Sequence, residues 1–179
     1  MKTALKLAHA IDRLNDGFGW LAVWAAFLSC MISAANAMSR YAFHLSSNAW
    51  LEIQWYLFGA CVMFGGAVVL RLNEHVRVDV MYGRYKPRTK AWVDLLGMIF
   101  FLMPMALLLA WTSWPFFVDS WNLMEQSSNE GGLIRWPAKI VMPLGFASLA
   151  LQGISEIIKR IAFLRGGYAM DTQYDRPLQ

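Results

Sequence analysis

Four long apolar runs with almost no charge constrain this chain more than any other feature of its sequence. Residues 18–38 and 95–118 carry no charge, and residues 50–70 and 140–158 each carry a single carboxylate. A helix needs about 20 apolar residues to cross the roughly 30 Å hydrocarbon core of a bilayer, and each run is close to that length. The sequence therefore predicts an all-α integral membrane protein, with a single membrane domain over residues 1–179 that contains four transmembrane helices.

A soluble all-α domain with four buried helices is the alternative to this architecture. Soluble helices need a polar face, and the third run has almost none. The chain is 58% hydrophobic and 16% charged, whereas soluble domains average about 45–50% apolar and 25% charged residues. The same composition excludes intrinsic disorder, and a chain with two cysteines is not a disulfide scaffold. A net charge of +4 is too small to indicate a nucleic-acid partner.

Lysine and arginine are distributed unevenly between the two sides of the predicted membrane domain. Thirteen lie in the two terminal tails and in the loop between the second and third runs, and three lie on the other side. Because cytoplasmic segments carry the excess of basic residues, both termini are predicted to be cytoplasmic and the loop over residues 119–139 to face the opposite compartment. Ala35-Asn36-Ala37 resembles a signal-peptidase site, but the apolar run before it is longer than is usual for a signal peptide. The first span is therefore predicted to stay uncleaved.

Local patterns predict a surface segment and a helix cap near the first two spans. Within residues 1–17, apolar residues recur at helical spacing, which predicts an amphipathic segment on the membrane surface that ends at Gly17. Ser46, Ser47 and Asn48 precede the second span, and their side chains can accept hydrogen bonds from the first backbone N–H groups of a helix.

Other local patterns concern the loops and the third span. The basic loop over residues 71–94 fits either an interfacial helix or a short extended piece. Pro104 and Pro115 lie inside the third span and predict kinks there. Ser127 and Glu130 match a capping box, but the two glycines that follow at once predict a loop instead of a helix.

Small residues repeat every four positions along the first span, in two adjacent rows. One row is Ala22, Ala26, Cys30 and Ala34, and the other is Ala25, Ser29, Ser33 and Ala37. Small residues let helix backbones approach closely inside a bilayer. The rows fit packing within this protein's own bundle or packing against another subunit, so Ser29 and Ser33 are candidate subunit-interface residues.

Two carboxylates lie within the apolar runs, and such residues are functional candidates because burying a charge in a bilayer is costly. Glu52 is near the start of the second run, and Glu156 is near the end of the fourth. Both positions are close to the membrane interface. We therefore expect Glu52 to contact a partner and Glu156 to pair with Arg160, four residues further along the helix. A role of either carboxylate in an ion pathway is the alternative.

No residue pattern indicates catalysis or cofactor binding. The three histidines lie outside the spans, whereas a bundle that holds haem places histidines in its core. No His, Cys or carboxylate cluster has the spacing of metal ligands. The two intramembrane cysteines are predicted to be inert apolar residues. The sequence therefore predicts a protein that is not an enzyme and that holds no cofactor or metal.

The second span and the loop after it resemble a known family of transport proteins. The stretch contains Glu52, Gly59, Gly65-Gly66 and Arg71, and ends in His75-Val76-Arg77-Val78-Asp79. It resembles the small membrane subunit, of the DctQ type, of tripartite ATP-independent periplasmic (TRAP) transporters. Four spans, cytoplasmic termini and this chain length also match that family.

The resemblance implies a role as the small permease subunit in a bacterial cell inner membrane. A periplasmic substrate-binding protein captures an organic acid, and a large permease subunit moves it inward with a sodium gradient. The small subunit serves as a scaffold for the large one and binds no cofactor itself. It contacts membrane lipid and binds no nucleic acid. Specificity for the transported solute resides in the other chains of such a transporter.

The resemblance also makes the basic loop a candidate docking surface for the large subunit. The candidate residues are Arg71, His75, Arg77 and Asp79, where acidic and basic side chains alternate. Such a loop could instead be solvated and serve only to set the topology. A membrane anchor or assembly subunit of another complex, and an autonomous channel, carrier or membrane enzyme, are the alternatives for the whole chain.

Overall fold

The computed structural model describes residues 2–74 and 82–169, and these fold into an all-α bundle. The helices are α1 (Lys2–Phe43), α2 (Asn48–Leu72), α3 (Pro87–Gly97), α4 (Met103–Asn122) and α5 (Trp136–Leu164), with a π-helical turn at Met98–Leu102 between α3 and α4. Among these described residues, four continuous helical stretches are long and apolar enough to cross a membrane, and each contains one of the predicted spans. The predicted all-α, four-span class is confirmed.

Helix α1 is longer than a membrane span requires and does not break where the sequence predicted. It runs for 42 residues, which corresponds to about 63 Å at 1.5 Å per residue. The prediction of a separate surface segment that ends at Gly17 is wrong, because Gly17 lies within this continuous helix. Its first turns instead bury Ala8, Ile11 and Asn15, and Asn15 bonds to α5.

Helix α5 forms the centre of the bundle. In α5, 44% of an 18-residue apolar stretch is buried, compared with 11% of such a stretch in α1 and in α2 and 17% in the helices from α3 to α4. It contacts all four other helices, whereas α1 packs mainly on α2. Most of the apolar surface of the other helices therefore faces outward, which suits a lipid environment and additional protein partners.

Gly145 allows α2 and α5 to approach each other closely. A Cβ atom at this position would lie 2.7 Å from Met63 Cβ and 3.0 Å from the Met63 carbonyl oxygen. A backbone oxygen cannot move aside as the end of a side chain can. Gly145 therefore determines how close the two helices lie.

Replacing Gly145 by Ala is expected to push α2 and α5 apart and to lower stability by about 1–3 kcal/mol, the usual cost of overpacking a core. Gly17 is the matched control, because a Cβ there would meet nothing within 4 Å. Gly17→Ala is expected to be neutral or to stabilise the helix by about 0.5–1 kcal/mol. Thermal unfolding of the detergent-solubilised protein measures both, and equal midpoints for the two variants would contradict the close-approach explanation.

The third span contains a π-helical turn beside Pro104. A proline inside a helix lacks an N–H group and its ring clashes with the carbonyl four residues earlier. The five-residue turn Met98–Leu102 lies directly before this region, so the regular hydrogen-bond pattern changes where the sequence predicted a kink. Pro115 lies inside α4, and the helix continues through it.

Two predictions about helix caps have different outcomes. Ser47 is the N-cap residue of α2, but its side chain makes no capping hydrogen bond, so the prediction of a side-chain cap is wrong. The Asn48 side chain instead donates to the carbonyl oxygen of Glu130 in the distant loop at 2.9 Å. The capping box of Ser127 and Glu130 does not start a helix, as the glycines after it predicted.

Candidate functional site

A group of charged and polar side chains, buried except for the partly exposed Asp94, joins α1, α3 and α5 at the end of the bundle where α1 begins and α5 ends. We call it the buried charge cluster. The side chains of its members interact with one another across or along these helices. The members are Asp12, Asn15, Asp94, Gln152, Ser155, Glu156, Lys159 and Arg160. Burying charges is costly unless each is paired and hydrogen-bonded, so the pairing within this cluster determines whether the helices can pack here.

Lys159 lies at the centre of the buried charge cluster and is 6% exposed. Its ammonium group donates to Asp12 Oδ1 at 2.9 Å and to Glu156 Oε1 at 2.8 Å. Ser155 donates a further hydrogen bond of 2.8 Å to Asp12 Oδ1. One cation therefore holds a carboxylate of α1 and a carboxylate of α5 in the same place.

Arg160 extends the cluster to α3. Its Nη1 atom donates to Glu156 Oε2 at 2.5 Å, so the predicted pairing of these two residues is confirmed. Its Nη2 atom lies 3.2 Å from Asp94 Oδ2 on α3, and Tyr82 donates to the other oxygen of Asp94 at 3.0 Å. Helices α1, α3 and α5 are thus linked through two adjacent cations of α5.

Gln152 and Asn15 have a fixed amide orientation because of their neighbours. Gln152 Nε2 donates to two carboxylates, Asp12 at 3.0 Å and Glu156 at 3.2 Å. Its oxygen must therefore accept, and it does so from Asn15 Nδ2 at 2.8 Å. Turning either amide over would bring acceptors face to face. Asn15 Oδ1 is consequently left without a partner among the described residues.

Glu156 and Arg160 were predicted to pair from their spacing in the sequence, whereas the other members of the cluster were not predicted. A signal for them was present, because Gln152, Ser155, Glu156 and Lys159 are spaced at i, i+3, i+4 and i+7. This spacing places polar side chains on one face of a helix. Asp12, which lies on α1, is outside the predicted spans, and no pattern in the sequence indicated that it would be buried.

Arg71 is the one residue among the four predicted docking residues that the structure describes. It forms an ion pair with Asp16 and donates to the backbone oxygen of Asp12 at 3.3 Å, so it joins α2 to α1 beside the buried charge cluster. His75, Arg77 and Asp79 lie outside the described residues. Docking through these four residues stays a prediction, as does the conformation of the loop between them.

A second polar group, the Glu52 cluster, lies at the opposite end of the bundle. Glu52 is 4% exposed, and its carboxylate accepts hydrogen bonds from three donors in the loop between α4 and α5. The donors are the Ser127 hydroxyl, the Asn129 side chain at 2.8 Å and the Leu133 backbone N–H at 2.7 Å. Glu52 therefore holds the loop against the first turn of α2, and its predicted contact with a partner subunit stays a prediction.

Gly132 completes the Glu52 cluster by its lack of a side chain. A Cβ atom at Gly132 would lie 2.5 Å from Ser127 Cβ and 2.8 Å from Glu52 Oε1. The loop folds back on itself here, since Ser127 N–H donates to the Leu133 carbonyl oxygen at 2.9 Å. The pair of glycines that the sequence indicated as a loop signal thus also makes room for the carboxylate.

A cleft of about 260 Å³ opens beside the Glu52 cluster, with aromatic and basic residues in its wall. Lys139 donates to Glu125 and lies 3.9 Å above the Phe116 ring centroid. The hydrogen bond from Lys139 lowers the pKa of Glu125 below its usual value. Glu125 is also 3.4 Å from Arg135, so both cations of the cleft wall pair with this one carboxylate.

Ser29 and Ser33, the two candidate interface residues of α1, have different surroundings. Ser29 is half-buried, and its hydroxyl donates to the Gln54 carbonyl oxygen of α2 at 3.3 Å. Ser33 is exposed on the same helix. Ser29 therefore takes part in packing within this chain, whereas Ser33 is free to meet lipid or another subunit.

Four long apolar helices, with a polar cluster at each end of the bundle, define a multi-pass helical membrane protein. The chain belongs to the family of tripartite ATP-independent periplasmic transporters, DctQ component, whose family model matches residues 29–163. This match confirms the family resemblance that the sequence indicated and makes the chain a small membrane subunit of such a transporter. No curated protein and no solved structure matches the chain.

Proposed function

We propose that this subunit is a rigid scaffold for the large permease subunit in the bacterial inner membrane. The transport reaction is sodium-driven uptake of an organic acid that a periplasmic binding protein delivers. The family match supports the place of the chain in a transporter with those two partners. Both termini and the basic loop face the cytoplasm in this proposal, in line with the asymmetry of Lys and Arg.

The buried charge cluster is the observation that carries the scaffold role. A scaffold has to keep its helices in fixed positions while a neighbouring domain moves. Lys159 and Arg160 each bond to a carboxylate on another helix. A displacement of α1 along α5 would separate the buried Asp12 from its cation, and a displacement of α3 would break the contact between Asp94 and Arg160. An uncompensated buried charge costs about 3–5 kcal/mol, so sliding of the helices is strongly opposed.

Replacing Ser33 by Leu is expected to weaken co-purification with the large permease subunit, because a bulky side chain on an exposed small-residue face keeps helices apart. The protein itself should fold normally, since Ser33 is exposed. Ser29→Leu is the matched comparison on the same row and is expected to disturb the contact between α1 and α2. Affinity purification measures the first effect and size-exclusion elution the second. Unchanged co-purification of Ser33→Leu would remove this face from the subunit interface.

Reconstitution tests the proposed function directly. Proteoliposomes with the large subunit, the binding protein and this chain should take up the organic acid when a sodium gradient is applied. Omitting this chain should reduce uptake to background, while binding of the acid by the periplasmic protein should be unaffected. Uptake by the large subunit and binding protein alone, at the full rate, would overturn the proposal.

A further inference from the structure

An exposed basic and aromatic surface lies at the start of the third span and takes no part in the polar clusters. We call it the α3 surface. Its residues, all exposed, are Arg84, Tyr85, Lys86, Arg88 and Trp92. Tyr85 is 38% exposed and Trp92 is 50% exposed. Large aromatic side chains with a polar group are typical of the boundary between hydrocarbon and water.

No carboxylate lies between the cations of the α3 surface, and Asp79 is five residues before Arg84. Residues 82–93 include four basic residues and no carboxylate. The next carboxylate along the chain is Asp94, and both of its oxygens are engaged, by Arg160 and by Tyr82. Within the described part of the chain, Arg84, Lys86 and Arg88 form no ion pair. Their charge is therefore available to an anionic partner.

The position of the α3 surface fits the headgroup region of a bilayer. The uncharged run begins at Leu95, so Arg88 lies seven residues before it, or about 10 Å along a helix. The next residues toward the membrane include Trp92, whose ring is half exposed. Cations just outside the hydrocarbon and an aromatic ring at its edge together form a surface that complements phosphate headgroups.

We propose that the α3 surface binds anionic phospholipid headgroups of the adjacent leaflet, with Arg84, Lys86 and Arg88 as the cationic contacts. Under the proposed orientation, this is the cytoplasmic leaflet. The inference rests on that orientation for the choice of leaflet and on charge complementarity for the choice of lipid. Tyr85 and Trp92 fix the depth of the surface, so that the cations meet phosphates and not the acyl chains.

Native mass spectrometry of the full chain, solubilised in micelles with equal amounts of phosphatidylglycerol and phosphatidylcholine, tests this inference. The unmodified protein is expected to retain phosphatidylglycerol in preference, by roughly fivefold or more. Arg84→Gln combined with Arg88→Gln should remove most of that preference. Raising the salt concentration to about 0.5 M should weaken it in the unmodified protein too, because exposed charges are screened.

The matched control is Lys2→Gln combined with Lys6→Gln, which removes the same charge. Lys2 and Lys6 are exposed on the first turns of α1, at the same end of the bundle, and residues 2–17 contain no Trp or Tyr. This control therefore removes cationic charge without changing a surface that combines cations with interfacial aromatic rings. Equal retention of the two lipids by the unmodified protein, or an equal loss in both double variants, would overturn the proposal. If the Arg84 and Arg88 variant instead loses the large permease subunit while lipid retention is unchanged, the surface binds protein and the lipid inference is wrong. Neither lipid retention nor retention of the large subunit depends on transport, so a failure of sodium-driven uptake in the reconstitution would leave both measurements unchanged.

Discussion

Replacing Lys159 by Met is expected to destabilise the protein by about 3–5 kcal/mol, the usual effect of removing one partner from a buried ion pair. The side chain is 8% exposed, and its ammonium group contacts Asp12 and Glu156 at 2.8–2.9 Å. Without it, two carboxylates would share a buried site with no cation between them. Arg160 would still neutralise Glu156, so the greater part of the effect should come from Asp12 and the contact between α1 and α5.

Thermal unfolding of the solubilised protein, followed by size-exclusion chromatography of the heated samples, measures this effect. The midpoint is expected to fall by roughly 10 °C. Adding Asp12→Asn to Lys159→Met should restore part of the loss, because the uncompensated charge is removed with its former partner. Lys6→Met on exposed α1 surface is the control and should leave the midpoint unchanged. A Lys159→Met midpoint equal to that of the control would show that the cluster does not hold the helices together.

The four-span architecture could be predicted from the sequence because it depends on a local property, the length of the uncharged runs. The polar clusters could be predicted only in part. The pair of Glu156 and Arg160 lies within one helical turn, so spacing alone indicates it. The bond between Lys159 and Asp12 joins positions 147 residues apart. Their proximity depends on how α1 passes α5, which no local pattern specifies.

The course of helix α1 also depends on a distant partner that no local pattern in the sequence specifies. Gly17 and the charged residues before it suggested a boundary between a surface segment and a membrane span. The buried charge cluster provides partners for Asp12 and Asn15 on α5, so the helix continues as a packed element. A polar residue before an apolar run thus indicates either a surface segment or a buried pairing, and the partner helix decides which one forms.

Replacing Glu52 by Ala is expected to release the loop between α4 and α5 from α2. The carboxylate accepts three hydrogen bonds from this loop, and hydrogen bonds to a charged group are stronger than neutral ones. Amide hydrogen exchange at Leu133 reports the change, because its N–H donates to Glu52 at 2.7 Å. We expect exchange at this position to become about tenfold faster or more, as for the loss of one charge-assisted hydrogen bond.

Glu52→Gln separates the contribution of the charge from that of the hydrogen-bond pattern. A glutamine has one acceptor oxygen, so its NH₂ group must face either the Leu133 N–H or the Ser127 and Asn129 donors. The Ser127 hydroxyl can rotate and accept a bond, whereas the backbone N–H of Leu133 cannot. The favoured orientation therefore keeps the oxygen toward Leu133, and exchange there should be slower than in Glu52→Ala but faster than in the unmodified protein.

Glu130→Gln is the control, because Glu130 is an exposed carboxylate of the same loop. This change should have no effect on exchange at Leu133. Exchange in Glu52→Ala that matches the Glu130→Gln control would mean that the loop is held by its own backbone hydrogen bonds and not by Glu52.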